Sequence, residues 1–263
     1  MWVCGAQGLD RRETGIIEEM QLENRRRNPL ANFSVWDSVL YEFARFEPNI
    51  DLILNCSVCD IEMEGSRRIR AVKGWQMTTQ TWHRVEAPLF ADCSGDSILA
   101  PLSGAEFRVG REGQGEYGES IAPGTADRKT MGMSLEINVR ELDHPVPFTP
   151  PPWAYVYPTN DDLPNREHDI RANHFWWIEL GGEDDSIRDT ERLRDELLKI
   201  VFGVWDHVKN RGDHGADNLA LEWVGFLPGK RESRRYIGDH VLTQNDVRDE
   251  GRFDDIIAYG GWP

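Results

Sequence analysis

Residues 88–106, PLFADCSGDSILAPLSGAE, constrain this chain more than any other stretch. An apolar run with strand character ends at Ser94-Gly95-Asp96, and Ile98, Leu99 and Leu102 then open a short helix. Such a junction sets backbone N–H groups where they can meet a phosphate, because a helix start carries unsatisfied donors and a positive partial charge. Gly95 permits close approach of a ligand to the backbone, and Asp96 can accept hydrogen bonds from a sugar hydroxyl. The same text also describes an ordinary strand-to-helix turn with Asp96 as its cap, and spacing alone favours that plainer reading.

A second dense segment is GFLPGKRESRRYIGDHVLTQND at 225–246. Arg231, Glu232, Arg234 and Arg235 crowd one loop, and His240 follows. Forked guanidinium donors in a concave site fix carboxylates or anionic rings, and a histidine exchanges protons near neutral pH. A solvated loop of internal ion pairs explains the composition equally well.

Around these two segments the pattern is mixed α/β. VWDSVLYEFARF repeats apolar residues at helical spacing, with Ser34 and Asp37 placed as cap and first-turn acid, and Pro48-Asn49 ends that helix. IDLILN, SVCDIEM, RRIRAVKGWQMTT and TWHRVEA read as strands, the last three as an antiparallel meander. Met131–Val139 alternates as a strand, the next forty residues hold most of the prolines, and HFWWIEL, LALEWVGFLPG and DIIAYGG complete the strand candidates. The clearest helix spans Ile187–Asn210, where Leu197, Val201, Val204, Trp205 and Val208 form one stripe.

Composition removes several function classes. Forty-six acidic residues against thirty basic ones give a formal charge of −16. Nucleic acid and anionic membrane surfaces are therefore unfavourable partners. No run approaches the length of a membrane span, and MWVCGAQGLDRRE becomes charged before a signal-peptide core can form. A reducing, cytoplasmic setting is the expectation from four cysteines. Cys56-Ser57-Val58-Cys59 is a lone CxxC in strand-like text and reads as structural. His168 and His174 look too isolated for metal, so no metal site is expected. Most of the ten tryptophans are assigned to core and pocket. Gly5 and Gly8 do not make a G-x-G-x-x-G fingerprint within a βαβ unit.

Taken together, ETGIIEE, EPNIDLILN, FADCSGDSILAPLSGAEFRVGRE, the 175–210 block and the 225–246 block resemble the FAD-dependent oxidoreductase family, of the glutathione-reductase-like flavoprotein type and its bacterial branch. The resemblance implies FAD as cofactor and a mixed α/β, partial flavoprotein fold. In it, residues 1–107 form part of the FAD-binding domain, and 108–263 form a substrate domain that begins to return toward it. It further implies that Met1 follows the dinucleotide fingerprint and that the chain is an internal fragment of a longer protein. Carried over by position, Val58 contacts adenine through its backbone, while Ser94, Gly95 and Asp96 approach the pyrophosphate and ribityl chain. Arg231, Glu232, Ser233 and Arg234 face the flavin and substrate. Arg231 or Arg234 stabilises the reduced ring, and Glu232 or His240 serves as base. Cys93-Ser94 departs from the Ala-Thr common in relatives. The implied activity is hydride transfer from a small-molecule substrate to flavin. The competing readings are a polysaccharide-binding module and a truncated fragment without activity.

Overall fold

The computed structural model describes residues 15–164, 168, 178–249 and 251–256. The described elements follow the order α1 (Gly15–Arg27), α2 (Phe33–Arg45), β1 (Cys56–Glu64), β2 (Arg68–Gln76), β3 (Thr81–Glu86), α3 (Leu99–Ser103) and β4 (Phe107–Arg108). There follow α4 (Gln114–Tyr117), β5 (Met133–Ser134), β6 (Ile137–Glu141), β7 (Glu179–Leu180), α5 (Thr190–Asp206), β8 (Leu219–Val224), β9 (Arg235–Tyr236) and α6 (Gln244–Arg248). The fold is mixed α/β with several small sheets. It divides into two compact units: Met1–Glu62 with Ala71–Glu86 and Leu242–Pro263, and Met63–Arg70 with Ala87–Val241.

In the first unit α1 and α2 form a helical pair. Helix α1 lacks a buried residue, which is why its polar text gave no periodic signal. Arg27 reaches across to Glu42 with two hydrogen bonds of 2.6 and 2.9 Å. The connecting turn is organised by Asn28, which is buried; its Nδ2 donates to Asn24 and to the Asn32 carbonyl, and its Oδ1 accepts from Asn32 N. Asn32, rather than the expected Ser34, caps α2 by accepting from Val35 N at 3.2 Å. The capping oxygen must lie before the first helical residue, and Ser34 is already inside the helix. The expected meander is present in the order β1-β2-β3, with Gly74 opposite His83 and Trp75 opposite Trp82. The paired indoles lie 5.3 Å apart.

IDLILN forms no strand. The Leu54 carbonyl accepts from Gln76 Nε2 and the Asn55 carbonyl from Met77 N, so local partners replace a ladder. PLFADC also differs from the expectation: residues 87–97 contain no strand, and Leu89 is 86% exposed. Apolar composition does not make a strand unless a neighbour pairs with its backbone.

The second unit is built on α5. Leu193, Leu197, Val201, Val204, Trp205 and Val208 are buried along one stripe, against Met133, Leu135, Ile137 and Ile178 from the strands β5 to β7 and their flanks. Met131–Val139 is two strands: β5 pairs with β7, and β6 pairs with β8 with an irregularity between Asn138 and Val139. A single π turn, His207–Arg211, extends α5. There the buried Lys209 ammonium donates to the carbonyls of Ala216, Asp217 and Leu219 at 2.7, 2.6 and 2.8 Å. Burial lowers the pKa of this lysine.

His168 is not isolated, contrary to the sequence-based expectation. It stacks edge-on against His207 and His214, both brought in by the end of α5. His174, most of HFWWIEL and the end of DIIAYGG lie outside the described residues. Among the described residues, no helix is long and apolar enough to cross a membrane.

The α5 stripe dominates the core of this unit, so Leu197→Ala is expected to lower its unfolding free energy by about 2–5 kcal/mol. Urea unfolding checks this; a midpoint unchanged from wild type would show that the stripe contributes little.

Candidate functional site

The turn at 94–97 and the segment 230–236 meet within the second unit. Gly95 and Ser97 both adopt the left-handed backbone region, with φ 78° and 49°. Gly95 accepts that conformation without strain, whereas the serine is uncommon there. Ser97 is held by its side chain, whose Oγ donates to the Arg234 carbonyl at 3.0 Å.

Asp96 is the joint between the two segments. Its carboxylate receives the Lys230 ammonium on Oδ2 and the Ser233 hydroxyl on Oδ1, the latter at 2.8 Å. Its backbone carbonyl accepts from Arg234 Nε at 2.8 Å. Ser233 is buried, so its hydroxyl is committed to this contact. The Arg234 guanidinium also lies over the Phe107 ring, 5.7 Å from its centroid. Pairing of β4 with β9, in which Phe107 faces Tyr236 and Arg108 faces Arg235, fixes the register of the segment.

Asp92 organises the other side of the turn. Its Oδ1 accepts from Ser94 N at 3.0 Å and Ser94 Oγ at 2.6 Å; its Oδ2 accepts from Leu99 N at 2.9 Å and Tyr236 OH at 2.5 Å. Burial pushes the Asp92 carboxyl up, but these four hydrogen bonds outweigh it and hold the group at about 2. Burial and the same contact push the Tyr236 phenol up to about 12.

This arrangement changes the expectation for the helix start. The chain's own Asp92 already occupies the amide of Leu99 at the beginning of α3. The donors left over are one step earlier: among the described residues, none accepts from the amides of Gly95, Asp96 or Ser97. Three successive amides beside Lys230 and Arg234 form a donor set suited to an anion.

Next to the turn lies a cleft of about 750 Å³, a volume typical of small-molecule sites. Met63, Ile69, Phe90 and Leu99 supply apolar wall, and Arg67, Asp92 and Tyr236 supply polar groups.

The residues singled out in the sequence are not all brought together, and Arg235 turns to the Gly110 carbonyl and Glu112. Ser94, Gly95, Asp96, Ser233 and Arg234 come together. Arg231 and Glu232 belong to the same segment but turn toward other partners: Arg231 donates to Glu179 at 2.7 Å, and Glu232 accepts from Met131 N at 2.9 Å. His240 is exposed on the stretch after β9. Val58 is half-buried on β1, in the first unit. Lys230, Asp92, Ser97 and Tyr236 were missed. Lys230 and Tyr236 flank the arginine run and Asp92 lies two residues before Ser94, so adjacency was their only signal.

Fold and site define a mixed α/β protein with a donor-rich turn and a neighbouring cleft. The family comparison gives this class a name: the model of the FAD dependent oxidoreductase family matches residues 1–263, and the chain belongs to that family. FAD is the cofactor the family implies. Comparison with curated proteins and with solved structures gives no match. The amides at 95–97 and the cations Lys230 and Arg234 fit the anionic part of such a cofactor by their donor chemistry.

Asp92 titrates below its ordinary value, so its stabilisation is complete above about pH 4 and is lost as pH falls toward 2. Tyr236→Phe removes one of the four bonds and is expected to cost about 1 kcal/mol at neutral pH. It should also make the acid-induced loss smaller and complete at higher pH, since the folded-state value moves back toward 3.8. Chemical denaturation across pH 2 to 7 checks this; an acid limb identical to wild type would contradict the role given to the pair.

Proposed function

We propose that this chain serves FAD-dependent hydride transfer from a small-molecule substrate, with the 94–97 turn and the 230–234 segment holding the cofactor. The observation that carries the reading is the Asp96 joint, which sets three amides beside two cations. Bound FAD supplies the hydride acceptor.

The chain's residues then bind and orient. The amides of Gly95, Asp96 and Ser97 donate to the anionic linkage, with Ser94 beside them. Lys230 and Arg234 offset its charge, and Ser233 keeps Asp96 turned toward Lys230. Arg231 and Glu232 act near the substrate, each oriented by a partner: Arg231 by Glu179, Glu232 by the Met131 amide. A carboxylate held through one oxygen retains the other for a proton, which makes Glu232 the favoured base. His240 is the second candidate for that role, as a side-chain type that serves as a general base. The formal charge of −16 opposes nucleic acid and anionic membrane, leaving a small molecule as the partner class.

The test is flavin binding by the purified full chain, titrated with FAD and followed by flavin fluorescence. Arg234→Gln, checked by circular dichroism to be folded, is expected to weaken FAD about tenfold, equivalent to about 1.4 kcal/mol. Wild-type protein that takes up no FAD, or a folded variant that binds it as tightly as wild type, would overturn the reading.

A further inference from the structure

Three histidines gather at the end of α5, away from the residues given to the cofactor. One nitrogen from each of His168, His207 and His214 lies within 4.8 Å of the other two. His207 is fully buried, and the other two are half-buried, so the group is both anchored and reachable from solvent.

The hydrogen bonds fix which nitrogens carry lone pairs. His207 Nδ1 lies 2.8 Å from the Tyr157 carbonyl, and a carbonyl only accepts, so Nδ1 bears the proton. The neutral ring then has its lone pair on Nε2. His168 Nε2 lies 3.1 Å from the Leu163 carbonyl, which by the same reasoning leaves Nδ1 with the lone pair. An imidazole that donates one N–H to a backbone carbonyl while offering its other nitrogen is the usual support of a metal ligand.

The lone pair of His207 Nε2 faces two polar side chains. His214 Nε2 is 3.1 Å away, and Asn160 Oδ1 is also 3.1 Å away. These groups converge on one point, where His207 Nε2, His214 Nε2 and the Asn160 amide oxygen could share a cation. Two nitrogens on one tetrahedral zinc ion stand about 3.3 Å apart, given bonds of about 2.0–2.1 Å. The His207–His214 pair already meets that spacing. The nitrogen of His168 lies within 4.8 Å of both, so a modest ring adjustment brings it to the same spacing.

We propose that His168, His207 and His214 bind one zinc ion, with Asn160 Oδ1 or a water in the fourth position. Imidazole donors suit borderline divalent metals, and three of them with one open position are an established zinc ligand set. The ion would tie the Tyr157–His168 stretch to the end of α5. This assignment does not depend on the cofactor reading.

Gly212 offers a variant that keeps all three ligand residues in the sequence but disturbs their arrangement. A Cβ there would lie 2.2 Å from His214 Nε2 and 2.6 Å from Cδ2, and all three of its nearest atoms belong to that ring. The Gly212 backbone is extended, with φ −134° and ψ 167°, so alanine is conformationally acceptable. Gly212→Ala therefore pushes the His214 ring out of the cluster with little demand on the fold.

The experiment uses the full chain without a histidine tag, stripped by chelator and titrated with Zn²⁺ alone, then with Co²⁺. The expected result is one equivalent of zinc per chain, a visible Co²⁺ spectrum of tetrahedral intensity, and a thermal midpoint raised by about 5 °C at saturation. His214→Gln and Gly212→Ala, each folded by circular dichroism, should weaken zinc at least about tenfold. Failure of the wild type to take up a stoichiometric ion, or uptake unchanged in both variants, would overturn the assignment.

Discussion

Asp96 is the constraint on which the site depends. Its carboxylate and its carbonyl together take three contacts from the 230–234 segment, more than a hundred residues further along the chain. Closing so long a loop has an entropic cost that must be met by contacts in the folded state. Pairing of β4 with β9, the Ser97–Arg234 bond and the Asp92–Tyr236 bond provide further contacts between the same two stretches. The turn is thus positioned by its distant partner. The three donor amides at 95–97 follow from that placement, since the left-handed residues Gly95 and Ser97 turn the backbone out of any ladder.

The charge arrangement around this joint bears on how an acidic protein could accommodate an anion there, as the proposed reading requires. Asp92 and Asp96 are both engaged: Asp92 with amides, a hydroxyl and a phenol, Asp96 with an ammonium and a hydroxyl. Glu232 accepts a backbone amide, and Glu179 takes the Arg231 guanidinium. A carboxylate compensated in this way repels a phosphate less than its formal charge suggests. The price of the arrangement is that the start of α3 is capped from within by Asp92, so the donors available to a ligand come from the turn alone.

The elements that could be read from sequence are those fixed by local periodicity. Leu197, Val201 and Val204 mark α5 because only a helix puts them on one face, and the β2–β3 hairpin follows from alternation on both sides of a polar turn. Helix α1 was not legible, because it buries nothing and is supported by ion pairs such as Arg27–Glu42. PLFADC misled for the opposite reason: its composition suits a strand, but strand formation depends on a neighbour that composition does not specify. For the site, the residue types were legible in FADCSGD and GKRESRRY, while the Lys230–Asp96 pairing was not. The histidine trio shows the same limit. His168 and His207 share no spacing motif, and only the packing of the proline-rich excursion against the end of α5 places their rings 4.9 Å apart.

In the proposed reading Asp96 and Lys230 act as a unit in holding the cofactor, and a double-mutant cycle measures that coupling. FAD dissociation constants would be determined for the wild-type chain, Asp96→Asn, Lys230→Met and the double variant. The losses are expected to fall short of additivity by at least about 1 kcal/mol, because either change alone already dissolves the joint. Strictly additive losses, or no loss in either single variant, would contradict that reading.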